Sequence, residues 1–384
     1  MRSVTAVAAA ALLSAAGCLA AATTASAASA SASAAASSSG TGLSVAGTLV
    51  DVTATSAGNA WAIGSTAKGP LILHWNGKAW SEVPAHAPAG TTLESVAATS
   101  PDNAWAVGSI VSGSTRKGAL ILHWNGKAWS QVRSPAPAGA YLGGVAATSA
   151  GNAWAVGDYH ETGGFKTLIL RWNGKAWQQV PSPTPATGDE GAALSAVSAV
   201  SASDAWAAGA ILSDTGPVEG LILRWNGRTW TVASGKAVAS AANGFGSVAA
   251  TSAANAWVGG CACAGGSDGI VTVHWNGSSW KLVPTPLPAL GSAGGAVAAA
   301  SATSAWAVGF TCGEACERGT APSEPDILEW NGTTWKKTAS PAPDGADLTA
   351  VAAVSASDAW VVGNTAGDNT IDTLILHWNG SSWT

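Results

Sequence analysis

From about Leu49 onward the apolar positions of the chain recur in one order, with small variations. The order is L-x-x-V-x-A-x-S, a short turn with Asn or Asp, A-W-x-x-G, a variable stretch, L-I-L-[HR]-W-N-G-x-x-W, and a Pro-rich spacer. Each apolar run is short, rich in Val, Leu, Ile and Trp, and bounded by Gly, Asn or Pro, which is the chemistry of strands rather than helices. In the second copy Leu93 to Thr99 reads as a first strand and Asn103 to Val107 as a second. Ala119 to Trp124 reads as a third and Lys127 to about Val132 as a fourth. Asn125-Gly126 between the last two predicts a two-residue type I′ hairpin, where both central residues need positive φ. That turn puts Trp129 opposite Leu122 and Trp124 opposite Lys127, with the two indoles diagonal on one face.

The 384 residues include 21 tryptophans, and all of them occupy three positions of the repeat. Trp61, Trp105, Trp154, Trp206, Trp257, Trp306 and Trp360 follow the first turn. Trp75, Trp124, Trp172, Trp225, Trp275, Trp330 and Trp378 precede Asn-Gly, and Trp80, Trp129, Trp177, Trp230, Trp280, Trp335 and Trp383 follow it. A four-stranded unit with such faces cannot bury them alone, so copies must stack. Seven of them close into a ring with few free edges. The expected fold is all-β, a seven-bladed β-propeller with four antiparallel strands per blade, over residues 45–384. The chain stops at Trp383-Thr384 where a fourth strand should begin, and Gly42 to Ala46 are expected to complete that blade.

The blade length, the Gly after the second strand and W-x-x-V-P, as in Trp80-Ser81-Glu82-Val83-Pro84, resemble kelch and galactose-oxidase-type propellers. The resemblance implies a propeller of such blades; the signal segment and Ala-rich linker at the N-terminus are what point to a bacterial secreted protein. It does not extend to the oxidase chemistry. A copper site of that kind takes two tyrosines and two histidines near the axis, and the chain has two tyrosines in all. No arginine triad of the sialidase kind is evident either.

The N-terminus reads as an address. Met1-Arg2, an apolar run from Val4 to Ala22, and A-x-A sites at Ala25-Ser26-Ala27 or Ala28-Ser29-Ala30 make residues 1–30 a secretory signal peptide. Residues 31–44 are an Ala/Ser-rich linker. No later apolar run is long enough to span a membrane, so no transmembrane segment is expected. Ala15-Ala16-Gly17-Cys18 resembles a lipobox, so lipid anchoring at the cell surface through Cys18 is the alternative to secretion. A net charge of −5 with 10% charged residues offers no footprint for nucleic acid.

Antiparallel order sorts the connections onto two faces. The first-to-second and third-to-fourth turns are short and near-identical, whereas the second-to-third and fourth-to-first connections are long and variable, and acidic overall. Variable loops on a rigid scaffold favour binding. Beyond the signal, Cys261, Cys263, Cys312 and Cys316 lie in such loops of adjacent copies, and in an exported chain they read as disulfides with pairing open. A four-thiolate zinc site usually shows C-x-x-C, which is absent, so no metal and no cofactor are expected. His74, His123, His274 and His377 recur before W-N-G and read as packing or hydrogen bonding between blades.

The candidate ligand-binding cluster is Tyr141, Asp158, Tyr159, His160, Glu161, Asp189 and Glu190, placed in the variable loops around the third copy. Paired carboxylates with a histidine can do acid–base work, and the same groups also read as a solvated acidic surface. The innermost strands offer chiefly Ala, Ser, Gly and Thr, with Asp51 and Glu94 as their charges, so no catalytic residue is assigned. The sequons at Asn276, Asn331 and Asn379 read as by-products of turn chemistry. The expected function is an exported, monomeric binding module for an extracellular glycan or protein. A secreted polysaccharide lyase or glycoside hydrolase, and a surface scaffold, are the alternatives.

Overall fold

The computed structural model describes residues 43, 45–185, 190–213, 216–261, 269–287, 292–311, 322–367 and 370–384. They form seven antiparallel sheets whose strands follow chain order, as the repeat requires. Blade one is β1 (Thr48–Ser56), β2 (Asn59–Thr66), β3 (Gly69–Trp75) and β4 (Trp80–Glu82). Blade two is β5 (Thr91–Ser100), β6 (Asn103–Ser112), β7 (Thr115–Trp124) and β8 (Trp129–Gln131). Blade three is β9 (Tyr141–Ser149), β10 (Asn152–Glu161), β11 (Gly164–Trp172) and β12 (Trp177–Gln179). Blades four, five and six repeat the order over 192–232, 245–283 and 292–338, with one short helix, α1 (Lys236–Ala239), between the fourth and fifth.

Blade seven has three continuous strands, β25 (Asp347–Ser355), β26 (Asp358–Ala366) and β27 (Ile371–Trp378). Its fourth is assembled from both ends of the propeller. Thr384 exchanges backbone hydrogen bonds with His377 at 3.0 and 2.9 Å, while Thr373 N–H donates to Val45 O at 3.0 Å and Gly47 N–H to Ile371 O at 2.7 Å. The expected closure is therefore present, and it holds the first blade to the last through backbone bonds that leave less of the β27 edge open.

Tryptophans do the packing between blades. Trp61 is fully buried and meets Trp129 of the next blade edge-on at 5.2 Å and Trp124 at 5.0 Å. Trp360 of blade seven repeats this against Trp75 and Trp80 of blade one, both at 5.3 Å, so the ring closes on the contact that builds it. Tilted and edge-on pairs at this separation suit the ring quadrupoles and add to the area buried.

Two local expectations change. In blade two Trp124 pairs directly with Trp129, not diagonally, across a four-residue turn closed by Asn125 N–H to Ala128 O. Asn125 Oδ1 accepts the amides of Lys127 and Ala128 at 3.0 and 3.1 Å, an Asx turn that leaves Gly126 (φ +87) as the one left-handed residue there. The recurring histidines bond within their own blades: His74 Nε2 lies 2.8 Å from Asn59 Oδ1, and the imidazole stacks on Trp61 at 4.1 Å. Burial holds the His74, His123 and His274 rings below the usual histidine range. Where arginine replaces histidine the reach is longer, and Arg171 and Arg224 donate to Ala202 O and Ala253 O of the following blades.

Candidate binding site at the channel mouth

The first strand of each blade lines the axis, and its L-x-x-V segment is where the site begins. Register shifts at Leu49/Asp51, Leu93/Ser95 and the equivalent places insert a bulge, which turns residues between Leu and Val toward the channel. They enclose a cavity of about 240 Å³ whose wall includes Asp51, Glu94, Ser95, Gly144 and Ser247. The bulge also stitches neighbouring blades. Asp51 Oδ2 accepts the Val96 amide at 2.8 Å, Ser95 Oγ accepts that of Val145 at 3.2 Å, and Ser247 Oγ that of Val297 at 3.0 Å. Burial pushes the Asp51 carboxyl up to about 6, partly offset by the bonds from the Val96 amide, Ser95 and the Val52 amide. At Gly144 a Cβ would sit 2.8 Å from Ala196 Cα, so blades three and four approach too closely there for any side chain.

At the end of the channel where second strands pass to third strands, four side chains of blades two and three converge. Arg116, near the start of β7, places Nη1 3.2 Å from Asp158 Oδ2 on β10 and its guanidinium carbon 4.6 Å from the Tyr141 ring centroid. Tyr141 opens β9, is the register partner of Asp158, and turns its hydroxyl against the Glu94 carboxylate. The Asp158 side chain is 2% exposed and that of Arg116 34%, so the carboxylate is sealed in while the cation reaches water. Burial pushes Asp158 up to about 6 against the pull of Arg116. Burial and the Glu94 charge push the Tyr141 phenol well above its ordinary range, and burial raises Glu94. The result is a fixed donor with a phenol and a carboxylate beside it, an arrangement that can hold polar groups.

The predicted cluster is only partly assembled. Tyr141 and Asp158 meet. Asp158 to Glu161 are not loop residues: β10 and β11 extend as a hairpin to Glu161↔Gly164, closed by Thr162 and Gly163 (φ +96). Strand alternation then separates the side chains. Tyr159 is half-buried against the hydrophobic core between blades two and three. His160 is exposed and packs edge-on to Phe165 at 5.1 Å, and Glu161 is exposed. Glu190 is half-buried, with its carbonyl accepting the Phe165 amide at 2.8 Å. Asp189 lies outside the described residues, as do Cys18, Cys263, Cys312 and Cys316; Cys261 is the last residue of the second strand of blade five.

Arg116 and Glu94 belong to this side-chain group, and the sequence did not bring them into the cluster. Asp347, at the start of β25, adds an innermost-strand charge beyond Asp51 and Glu94; burial pushes it up to about 6, and its Oδ1 has no hydrogen-bond partner. Among the described residues no group of three His, Cys, Asp or Glu side chains is placed to hold a metal, and no helix is long and apolar enough to cross a membrane.

No family model matches the chain, and no curated protein matches it. Solved structures do. The structure titled "YCF48 bound to D1 peptide" is 14% identical, covering 86% of this chain and 95% of its own, with a TM-score of 0.54. YCF48 from Cyanidioschyzon merolae is 16% identical over 85% of this chain and 95% of its own, with a TM-score of 0.52. At these identities the likeness is one of fold, the seven-bladed propeller, and it carries no support for a kelch or galactose-oxidase assignment.

Proposed function

We propose that the protein is a binding module that takes a polypeptide segment at the mouth of its channel, between blades two and three. The observation that carries this reading is the Arg116 guanidinium, fixed by Asp158 and the Tyr141 ring yet still in contact with water, with Glu94 beside it on the cavity wall. A cation held in place loses little freedom on binding, which is what makes a preorganised donor effective. The structurally similar YCF48 with a D1 peptide bound supports a peptide as the kind of ligand such a propeller accepts. A glycan is the second reading, and it is weakened by Tyr159, whose ring is packed into the core rather than offered as a platform.

Export stands behind this reading: residues 1–30 as signal peptide, 31–44 as linker, and secretion or anchoring through Cys18. The cysteines are read as disulfides, supported by the bonded state of Cys261. The kelch-like reading of the blades is carried in the same way, on blade length, the glycine of A-W-x-x-G, as at Gly64 and Gly108, and W-x-x-V-P, as at Trp80 to Pro84. Selection from a displayed random-peptide library, run in parallel with a glycan array, tests the function. Peptides enriched on the wild type and lost on Arg116→Gln are expected. Glycan hits without peptide enrichment would overturn it.

A further inference from the structure

The opposite face, built of the W-N-G turns, carries a charge pattern that the repeat does not require. The residue after Asn-Gly is Lys78, Lys127, Lys175 and Arg228 in blades one to four, and Ser278, Thr333 and Ser381 in blades five to seven. Its backbone is fixed in every blade, since its amide donates to the turn Asn Oδ1 at 2.9–3.0 Å, as at Lys78, Lys127, Lys175 and Arg228. Its side chain is exposed, and in blades five and seven the serine hydroxyl donates to the turn Asn Oδ1 at 2.8 and 2.7 Å, so the turn forms with serine or threonine there and does not need a cation. Four consecutive blades nevertheless present a cation, and none of the four makes an ion pair among the described residues.

Half-exposed Arg171 and Arg224 add to the same arc, against exposed Asp102 and an Asp204 already paired with Arg224 at 3.2 Å. Lys281 and Lys336, exposed three residues further on in blades five and six, add cations beyond the turns, with Lys336 set opposite Glu329 in the strand register. In a chain of net charge −5 this face is a positive surface on an otherwise acidic molecule.

We propose that the turn face rests on an anionic membrane surface, leaving the channel mouth of the opposite face free for its partner. The cations stand at equivalent, separate turn tips of four successive blades, so a surface of mobile anionic headgroups can meet each of them where it stands. Among the described residues the exposed large apolar side chains, Val232, Leu282 and Ile371, lie outside the W-N-G turns, so the turn tips themselves present charge. Binding is electrostatic, weak and sensitive to salt, with each cation contributing roughly fivefold in affinity.

Co-sedimentation of the full chain with vesicles of phosphatidylcholine alone, and with about one-third phosphatidylglycerol, tests the proposal. The wild type is expected to bind the anionic vesicles at low salt and to be released as salt rises. The Lys78→Ser, Lys127→Ser, Lys175→Ser, Arg228→Ser variant keeps the turn chemistry of blades five to seven and the same N-terminus, so it isolates the four cations. It is expected to lose binding by at least a hundredfold. Equal binding of wild type and variant, equal binding to neutral vesicles, or binding to soluble polyphosphate without binding to vesicles would each overturn it. Loss of peptide binding in Arg116→Gln with vesicle binding intact would separate the two faces.

Discussion

Arg116 Nη1, on the third strand of blade two, lies 3.2 Å from Asp158 Oδ2, on the second strand of blade three, so one ion pair spans the seam between two blades at the channel mouth. The pair is asymmetric, with a sealed carboxylate and a cation that reaches water. Replacing Arg116 by Met therefore leaves a buried charge unpaired. We expect Arg116→Met to cost about 1–3 kcal/mol in urea unfolding, and Asp158→Asn added to it to restore most of that loss. Additive losses in the double variant would show that the two side chains are not coupled.

The tryptophan contacts between blades predict a graded response. Trp61 is fully buried against the next blade, whereas Trp75 is half-buried and donates its indole N–H to Ala57 O at 2.9 Å. Trp61→Ala is expected to lower stability by about 3–5 kcal/mol, and Trp75→Ala by clearly less. Thermal and denaturant unfolding of the two variants side by side makes the comparison.

Closure of blade seven predicts a change of assembly as well as of stability. Trp383 is 4% exposed and meets Trp306 at 5.0 Å, so Trp383→Ala is expected to cost about 3–5 kcal/mol. Deleting residues 43–47 instead uncovers the outer edge of β27, and an unpaired edge recruits another. Light scattering after gel filtration should find concentration-dependent self-association in the deletion alone.

Asp347 gives a pH dependence with a definite sign. Burial pushes its folded carboxyl up to about 6, above the ordinary aspartate value of 3.8, so between these values the folded state keeps a proton that the unfolded chain has released. Its contribution to stability is therefore lost as pH rises from about 4 to about 6. Asp51 acts in the same direction, while the lowered His74, His123 and His274 act in the other, losing stability as pH falls below 6.5. Wild type minus Asp347→Asn removes the shared terms. That difference in unfolding free energy is expected to fall over pH 4 to 6 and to level off above, and a difference that rises with pH would contradict the assignment.

The blade count was legible because tryptophan spacing repeats and packing requires it. The closing strand was legible because the last unit stopped short. The hairpin register was not, since Asn-Gly permits both a type I′ turn and the Asx turn that forms, and the choice lies with Asn125 Oδ1 and two amides. The site was half legible. Tyr141 and Asp158 stand out because they do not repeat, but Arg116 lies in a variable stretch and comes into play through a neighbouring blade. A usable signal was present: the strand position of Asp158 holds Ser65, Ser109 and Ala210 in other blades, and a buried carboxylate there calls for a cation.

Titration calorimetry of a library-selected peptide into the wild type, Arg116→Gln, Arg116→Lys and the four-serine turn-face variant tests the binding site most directly. Intact folding of each is checked by tryptophan fluorescence. Micromolar binding is expected for the wild type and the turn-face variant, with at least a tenfold loss in Arg116→Gln and partial recovery in Arg116→Lys. Unchanged affinity in Arg116→Gln, or loss confined to the turn-face variant, would contradict a binding site at the channel mouth.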